Sequence, residues 1–180
     1  MSLDTLSCAQ QLTTHLSKAC GLGADGLPEK GKPADNSSWP DDFASAYNDY
    51  AMGGEVLGTV NEGGDKSVLS SFMEGAEGST PLEFAQAIAD FWSGVALEPG
   101  IPFDGAISVD EVVENNALTL VAPIQAAIMA SMTDQLDGPP YFKTLLDNIQ
   151  AVITGQMLWT VIQTHPGTPP YTVTHSVNIV

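Results

Sequence analysis

The feature that most constrains this chain is an almost uninterrupted apolar run from Ala117 to Met132. The run is long enough for about four turns of helix, and Pro123 either begins that helix after a break or kinks it near its middle. A helix that is apolar all round must lie in the centre of a core or in an interface between chains. Ile124 and Ile128, one turn apart in this run, are therefore candidate contact residues.

The clearest helix signal begins at Thr80, a residue type that caps helices, followed by Pro81 at the first helical position. Glu83 lies where an acid complements the exposed amides of the first turn. Apolar residues then recur every three or four positions and include the aromatic pair Phe91 and Trp92. The breadth of this apolar face predicts a helix that is covered on more than one side.

Helical spacing also marks residues 3–20, residues 38–52 and residues 141–163, the last of which contain Trp159. A chain of 180 residues, 43% of them apolar, can build a core without disulfides or a structural metal. The predicted fold class is therefore mainly α. We expect a small helical bundle with an extended N-terminal arm and a C-terminal β-strand tail.

The C-terminal segment has a different period. Tyr171, Val173, Val177 and Ile179 alternate with polar residues, and this period of two predicts a strand. The backbone groups of a strand need partners. One alternative is a partner within this chain, with residues 106–113 as the first candidate, although they fit a helical turn somewhat better than a strand. The other alternative is strand addition to a neighbouring subunit.

Changes in composition and charge divide the chain into four segments. They are residues 1–34, a helical arm and linker; residues 35–80, an acidic and glycine-rich segment with short helices; residues 81–166, the helical core; and residues 167–180, the strand tail.

The charge is strongly one-sided. The chain has 22 acidic residues, five lysines and no arginine, so its formal net charge is −17, and residues 35–114 hold sixteen of the acids with a single lysine. Nucleic acids and anionic membranes both require basic residues on the protein that binds them. We therefore expect neither as a partner.

The two cysteines, Cys8 and Cys20, lie too far apart along the first predicted helix to form a disulfide, which favours a reducing cytoplasm. The N-terminus lacks the basic and apolar regions of a signal peptide. Two charge-poor stretches, residues 115–133 and 148–165, contain too many polar residues to be good membrane spans.

The sequence contains no convincing catalytic chemistry. Gly58 and Gly63 have the spacing of a phosphate-binding loop, but the lysine of that motif is missing. His15, His165 and His175 have no other metal-ligating residue at a suitable spacing. We expect no cofactor, no metal and no enzyme activity, although a hydrolase built on paired carboxylates remains an alternative.

Two runs of sequence carry a family resemblance. Residues 84–103, FAQAIADFWSGVALEPGIPF, and residues 141–159, YFKTLLDNIQAVITGQMLW, resemble small helical virion structural proteins of tailed bacteriophages. The resemblance implies a place in a head, neck, tail or baseplate, with assembly in the host cytoplasm. It also implies a homo-oligomeric ring or lattice with other virion proteins as partners.

Two functions follow as expectations. The first is a non-enzymatic structural subunit of a virion that acts through homo-oligomeric assembly. The second is an acidic binding module or assembly chaperone for a basic protein partner, attracted by electrostatic steering. For the first function, the candidate interface residues are Phe91, Trp92, Ile124, Ile128, Trp159, Tyr171, Val173, Val177 and Ile179.

Overall fold

The fold is mainly α, as the sequence predicts, with a small antiparallel sheet formed by strands near the C-terminus. The computed structural model describes residues 3–23, 27, 30, 33–56, 59–60, 63–75, 79–95, 102, 104–133 and 138–179. Its helices are α1 (Thr5–Ala19), α2 (Trp39–Met52), α3 (Lys66–Glu74), α4 (Pro81–Ser93), α5 (Val121–Met132) and α6 (Gly138–Gln156), with a 3₁₀ helix at Ala117–Leu120. Its strands are β1 (Glu55–Val56), β2 (Thr59–Val60), β3 (Ser108–Asn115), β4 (Leu158–His165) and β5 (Tyr171–Asn178).

Helix α1 is part of the body and corrects the prediction of an extended arm. Asp4 caps the helix by accepting a hydrogen bond from the backbone N–H of Ser7. The face that includes Cys8 and Leu12 is buried, and the helix packs against α2 and α6. The physical reason is that these apolar side chains find their cover on the same chain.

Helix α4 lies at the centre of the core. Thr80 and Glu83 form the reciprocal cap that their spacing predicts. Small alanine side chains let neighbouring helices approach closely, and the ring N–H of Trp92 donates to the hydroxyl of Tyr47 at 3.0 Å. This buried hydrogen bond joins α4 to α2.

Helix α5 is only half covered, although its sequence is apolar all round. Pro123 lies in the first turn of α5, directly after the 3₁₀ helix. The proline therefore marks the start of α5 and does not kink the helix near its middle. Ile124 and Ile128 are buried, whereas Met129 is 53% exposed. The outer face of α5 is therefore apolar surface.

The sheet has the order β3–β4–β5 and is antiparallel throughout. Strand β5 confirms the prediction of a C-terminal strand, but its partner is β4, where we predicted the end of a helix. Helix α6 ends at Gln156, since the residues that follow are largely aromatic or β-branched and alternate between buried and half-exposed positions.

Strand β3 covers most of residues 106–113 and corrects the preference for a helical turn there. It pairs with β4 and has two register shifts, between Val109 and Glu111 and between Val112 and Glu114. Because β4 lies in the middle, β5 pairs within the chain, which is one of the two expected alternatives, but its partner is β4 and not residues 106–113.

The four predicted segments share one hydrophobic core. Buried residues from α1, α2, α3, α4, α5, α6 and the sheet form a single contiguous cluster, which extends from Leu3 to Ile179. Within the described part of the chain, the four segments therefore pack into one body.

Candidate functional site

Most of the predicted interface residues lie in the core of their own chain. They are Phe91, Trp92, Ile124, Ile128, Trp159 and Ile179, each exposed by 3% or less. The geometry places these six in the core, where a side chain covered by its own chain has little surface to offer a second one.

The remaining three candidates lie on β5. Val173 and Val177 are half-buried on the face of the sheet that carries Trp159 and Val161, and Val177 packs against the core. Tyr171 is 54% exposed. Of the predicted interface residues, Tyr171 alone therefore has an exposed side chain that a partner could contact.

The structure contains an apolar groove that the sequence analysis did not identify. It has a volume of about 220 Å³ and lies where α2, α4 and α6 begin and where α3 and α5 end. Its floor is formed by the buried side chains of Phe43, Ile128, Phe142 and Leu145, and its walls by the more exposed side chains of Trp39, Phe72, Met73, Phe84, Met132 and Tyr141.

Aromatic rings organise the groove. Phe72 and Phe84 stack almost in parallel with their ring centroids 5.3 Å apart. Trp39 meets Phe43 edge to face at 5.8 Å and lies 6.5 Å from Phe142. Such pairs stabilise one another, so contacts among the aromatic side chains form the groove within the chain.

Two acidic residues, Glu83 and Glu74, lie close in sequence to residues that line the groove, as does Lys143. Glu83 is three residues after Thr80, which lines the groove. The backbone N–H and the hydroxyl of Thr80 donate hydrogen bonds to the carboxylate of Glu83 at 2.7 and 2.9 Å. These hydrogen bonds hold the pKa of Glu83 below its ordinary value, so the carboxylate stays ionised. Glu74 is exposed beside Met73, and no lysine lines the described part of the groove.

A smaller cavity of about 110 Å³ lies between α1 and α2 and includes Asp4, Cys8 and Asp49. Burial, followed by the two carboxylates, raises the pKa of the Cys8 thiol to about 12. The thiol donates to the backbone carbonyl of Ala46. A thiol that remains protonated is a poor nucleophile, so this cavity does not form a catalytic cysteine site.

Two histidines that the sequence placed on a loop and a tail come together on the sheet. The Nε2 atoms of His165 and His175 lie 3.4 Å apart, and Tyr171 stacks on His165 with a centroid distance of 5.5 Å. Within the described ranges, no group of three or more His, Cys, Asp or Glu side chains is placed to hold a metal ion. A pair of histidines alone falls short of a structural metal site.

Comparison of the chain with protein-family models, with curated proteins and with solved structures gave no significant match. In the part of the chain that the structure describes, no helix combines the length and apolar character needed to cross a membrane.

The groove could have been suspected from one pattern in the sequence. Trp39, Phe72 with Met73, and Tyr141 with Phe142 all lie within a few residues of a helix end that Pro or Gly marks. Bulky side chains at several helix ends meet only if those ends converge, and convergence is a tertiary property.

Proposed function

We propose that this chain is a non-enzymatic, acidic binding module that takes a bulky apolar side chain of a basic protein segment into the aromatic groove. The observation that carries the proposal is the groove itself, an open apolar surface at the junction of five helices. Anchoring of one or two large side chains in such a pocket is a common means of protein recognition.

The size of the groove favours a protein anchor over a small molecule. Small-molecule sites usually measure about 300–1,000 Å³, and this groove has a volume of about 220 Å³. That space suits one or two side chains such as Leu, Met or Phe, presented by a helix or a loop.

The charge of the chain favours a basic partner. Glu74 and Glu83 are exposed near the groove, and the whole chain carries a net charge of −17. A segment with Lys or Arg beside its apolar anchor gains from electrostatic steering, whereas an acidic segment is repelled.

The proposal can be tested with a synthetic amphipathic peptide that has leucines on one face and lysines on the other. Its matched control has glutamates in place of the lysines. We expect the lysine peptide to bind, measured by the anisotropy of a fluorescent label, and to bind more weakly as salt is raised.

A pair of charge variants localises the binding. Met132→Lys places a positive charge in the groove at a side chain that is 58% exposed, and Leu82→Lys makes the same change at a residue that is 49% exposed and outside the groove lining. We expect at least about tenfold weaker binding for Met132→Lys only, since it both removes apolar contact and repels the peptide. Equal effects of the two variants would contradict the proposal.

The virion structural subunit that the family resemblance implies is a second candidate function. Its support from the structure is the apolar surface around the 3₁₀ helix and α5, where Leu118 is 56% exposed and Met129 is 53% exposed. The predicted arm and strand tail, which could have reached neighbouring subunits, make contacts within the chain instead. Native mass spectrometry at physiological salt separates the candidates, because a ring or lattice subunit forms species larger than a dimer.

A further inference from the structure

We propose that the outer edge of β5 pairs antiparallel with β5 of a second copy of this chain, so that two three-stranded sheets become one sheet of six strands. This interface is separate from the groove and does not depend on the function proposed for it.

Strand β5 has the features of an open edge. It is eight residues long and follows β4 in unbroken register from Tyr171 to Asn178. Among the described strands, none pairs with its other side. Edge strands are usually protected by charges, proline or bulges, and the sequence of β5 contains neither a proline nor an acidic or basic residue apart from His175.

The opposite edge of the sheet is protected. Strand β3 carries Asp110, Glu111 and Glu114 and is interrupted by two register shifts. Both devices discourage strand addition. Among the described strands, each three-stranded sheet therefore offers one open edge, and pairing between like edges closes after two copies and does not extend into a fibre.

The distribution of charge along the chain favours a second copy of the chain as the partner of the outer edge of β5. Residues 148–180 contain no Asp, Glu, Lys or Arg, although the chain as a whole has a net charge of −17. A second copy is repelled by most of the surface but can approach this neutral hairpin. A basic partner gains no electrostatic attraction from the same edge and is drawn to the acidic surface elsewhere.

The alternation of half-buried and exposed side chains along β5 limits the register of the two paired β5 strands. Val173 and Val177 face the core side of the sheet, whereas Thr172, Thr174 and Ser176 are exposed on the other side. Residues directly opposite in an antiparallel pair share a face, so the two-fold axis passes through a residue and not between two residues. The fewest residues stay unpaired when the two-fold axis passes through Thr174 or through the next residue, His175.

The interface is small, because one strand edge covers less surface than a standard protein interface. We expect a dimer with a dissociation constant of about 1 μM or weaker. Sedimentation equilibrium at pH 7.5 and physiological salt, about 150 mM, measures it. A wild-type chain that stays monomeric at every concentration reached would overturn the proposal.

Charge variants at Thr174 test the location of the contact. Thr174→Glu and Thr174→Lys each bring two like charges close together across the axis, and we expect each to raise the dissociation constant about tenfold. A mixture of the two variants is expected to recover the dimer as a heterodimer. Circular dichroism and thermal unfolding verify that each variant keeps its fold, which an exposed position should allow.

Leu118→Glu is the matched control on the exposed apolar surface near α5. We expect it to leave the dimer unchanged. If Leu118→Glu breaks the dimer and the charge variants of Thr174 do not, association occurs through the helical face and the proposal for β5 is wrong.

Disulfide trapping then assigns the register, in a background where the exposed Cys20 is replaced by serine. Facing Cα atoms in an antiparallel pair are about 4.5–5.5 Å apart, within disulfide range. With the axis through Thr174, Thr174→Cys crosslinks to its own copy. With the axis one residue later, Thr174→Cys crosslinks to Ser176→Cys on the other chain. Absence of both crosslinks in a dimer would contradict the proposed pairing.

Discussion

Tyr47 and Tyr50 lie one helical turn apart on α2, and both are buried in the same core. Only the hydroxyl of Tyr47 has a hydrogen-bond partner among the described residues. The hydroxyl of Tyr47 accepts a hydrogen bond from Trp92 at 3.0 Å. The hydroxyl of Tyr50 is buried, and no described group lies within hydrogen-bond distance of it. Burial raises the pKa of both phenols, so both are neutral at pH 7.

This contrast gives a prediction with an internal control. Tyr47→Phe leaves the buried N–H of Trp92 without its acceptor, and we expect the free energy of unfolding to fall by about 1–3 kcal/mol. Tyr50→Phe removes a hydroxyl that is buried without a partner, and we expect no loss or a small gain. Urea unfolding at pH 7 measures both variants, and equal losses would show that the hydrogen bond contributes little.

At the scale of elements, residues 63–65, which precede α3, are held between two helices. The backbone N–H of Gly64 donates to the side chain of Asn48 on α2 at 3.0 Å. A Cβ added at Gly64 would lie 2.6 Å from the backbone carbonyl oxygen of Phe91 on α4. Only glycine lets this loop approach α4 so closely.

Two glycine-to-alanine variants test that packing. Gly64→Ala forces the loop away from α4, and we expect a loss of about 1–3 kcal/mol of stability, seen as a lower melting temperature. Gly155→Ala, in the exposed last turn of α6, meets no atom within 4 Å, and we expect a gain of up to about 1 kcal/mol from better helix propensity. A Gly64→Ala variant as stable as the wild type would show that the loop moves freely.

The elements also show what the sequence can and cannot specify. The start of α4 was predictable because Thr80 and Glu83 act through neighbouring backbone groups, which are local. The switch from α6 to β4 was not, because Trp159 and Val161 fit a helical stripe as well as an alternating strand. The β-branched and aromatic residues favour a strand locally, but pairing with β3 and β5 on either side is what decides between the two.

The sequence did not reveal the groove, and it suggested buried side chains as interface candidates, for the same physical reason. Phe91 and Trp92 looked available because their helix has a broad apolar face, yet other parts of the same chain cover them. Sequence indicates that a side chain needs cover and does not indicate which chain supplies it.

At the scale of the whole molecule, unbalanced charge opposes folding. Among the described residues the ion pairs are Lys143 with Asp147 and His15 with Asp42, while the chain carries 22 acids. Repulsion among exposed carboxylates is strongest in the compact state.

We therefore expect salt to stabilise the fold. Raising sodium chloride from about 10 mM to about 150 mM shortens the Debye length from about 30 Å to about 8 Å, and the melting temperature should rise. Sodium sulfate at equal ionic strength is the control, because sulfate also stabilises by exclusion from the protein surface. A rise with sulfate alone would argue against charge screening.

The packing of α1 against α6 has a consequence for the synthesis of the chain. The hydroxyl of Thr5 donates to Asp147 at 2.6 Å, across 142 positions of sequence. The ribosome releases the first helix long before α6 exists, so α1 can pack against α2 early, whereas the part of its face that packs against α6 stays without native cover until α6 is made. Nascent chains therefore expose this part of α1 to chaperones and proteases until α6 emerges.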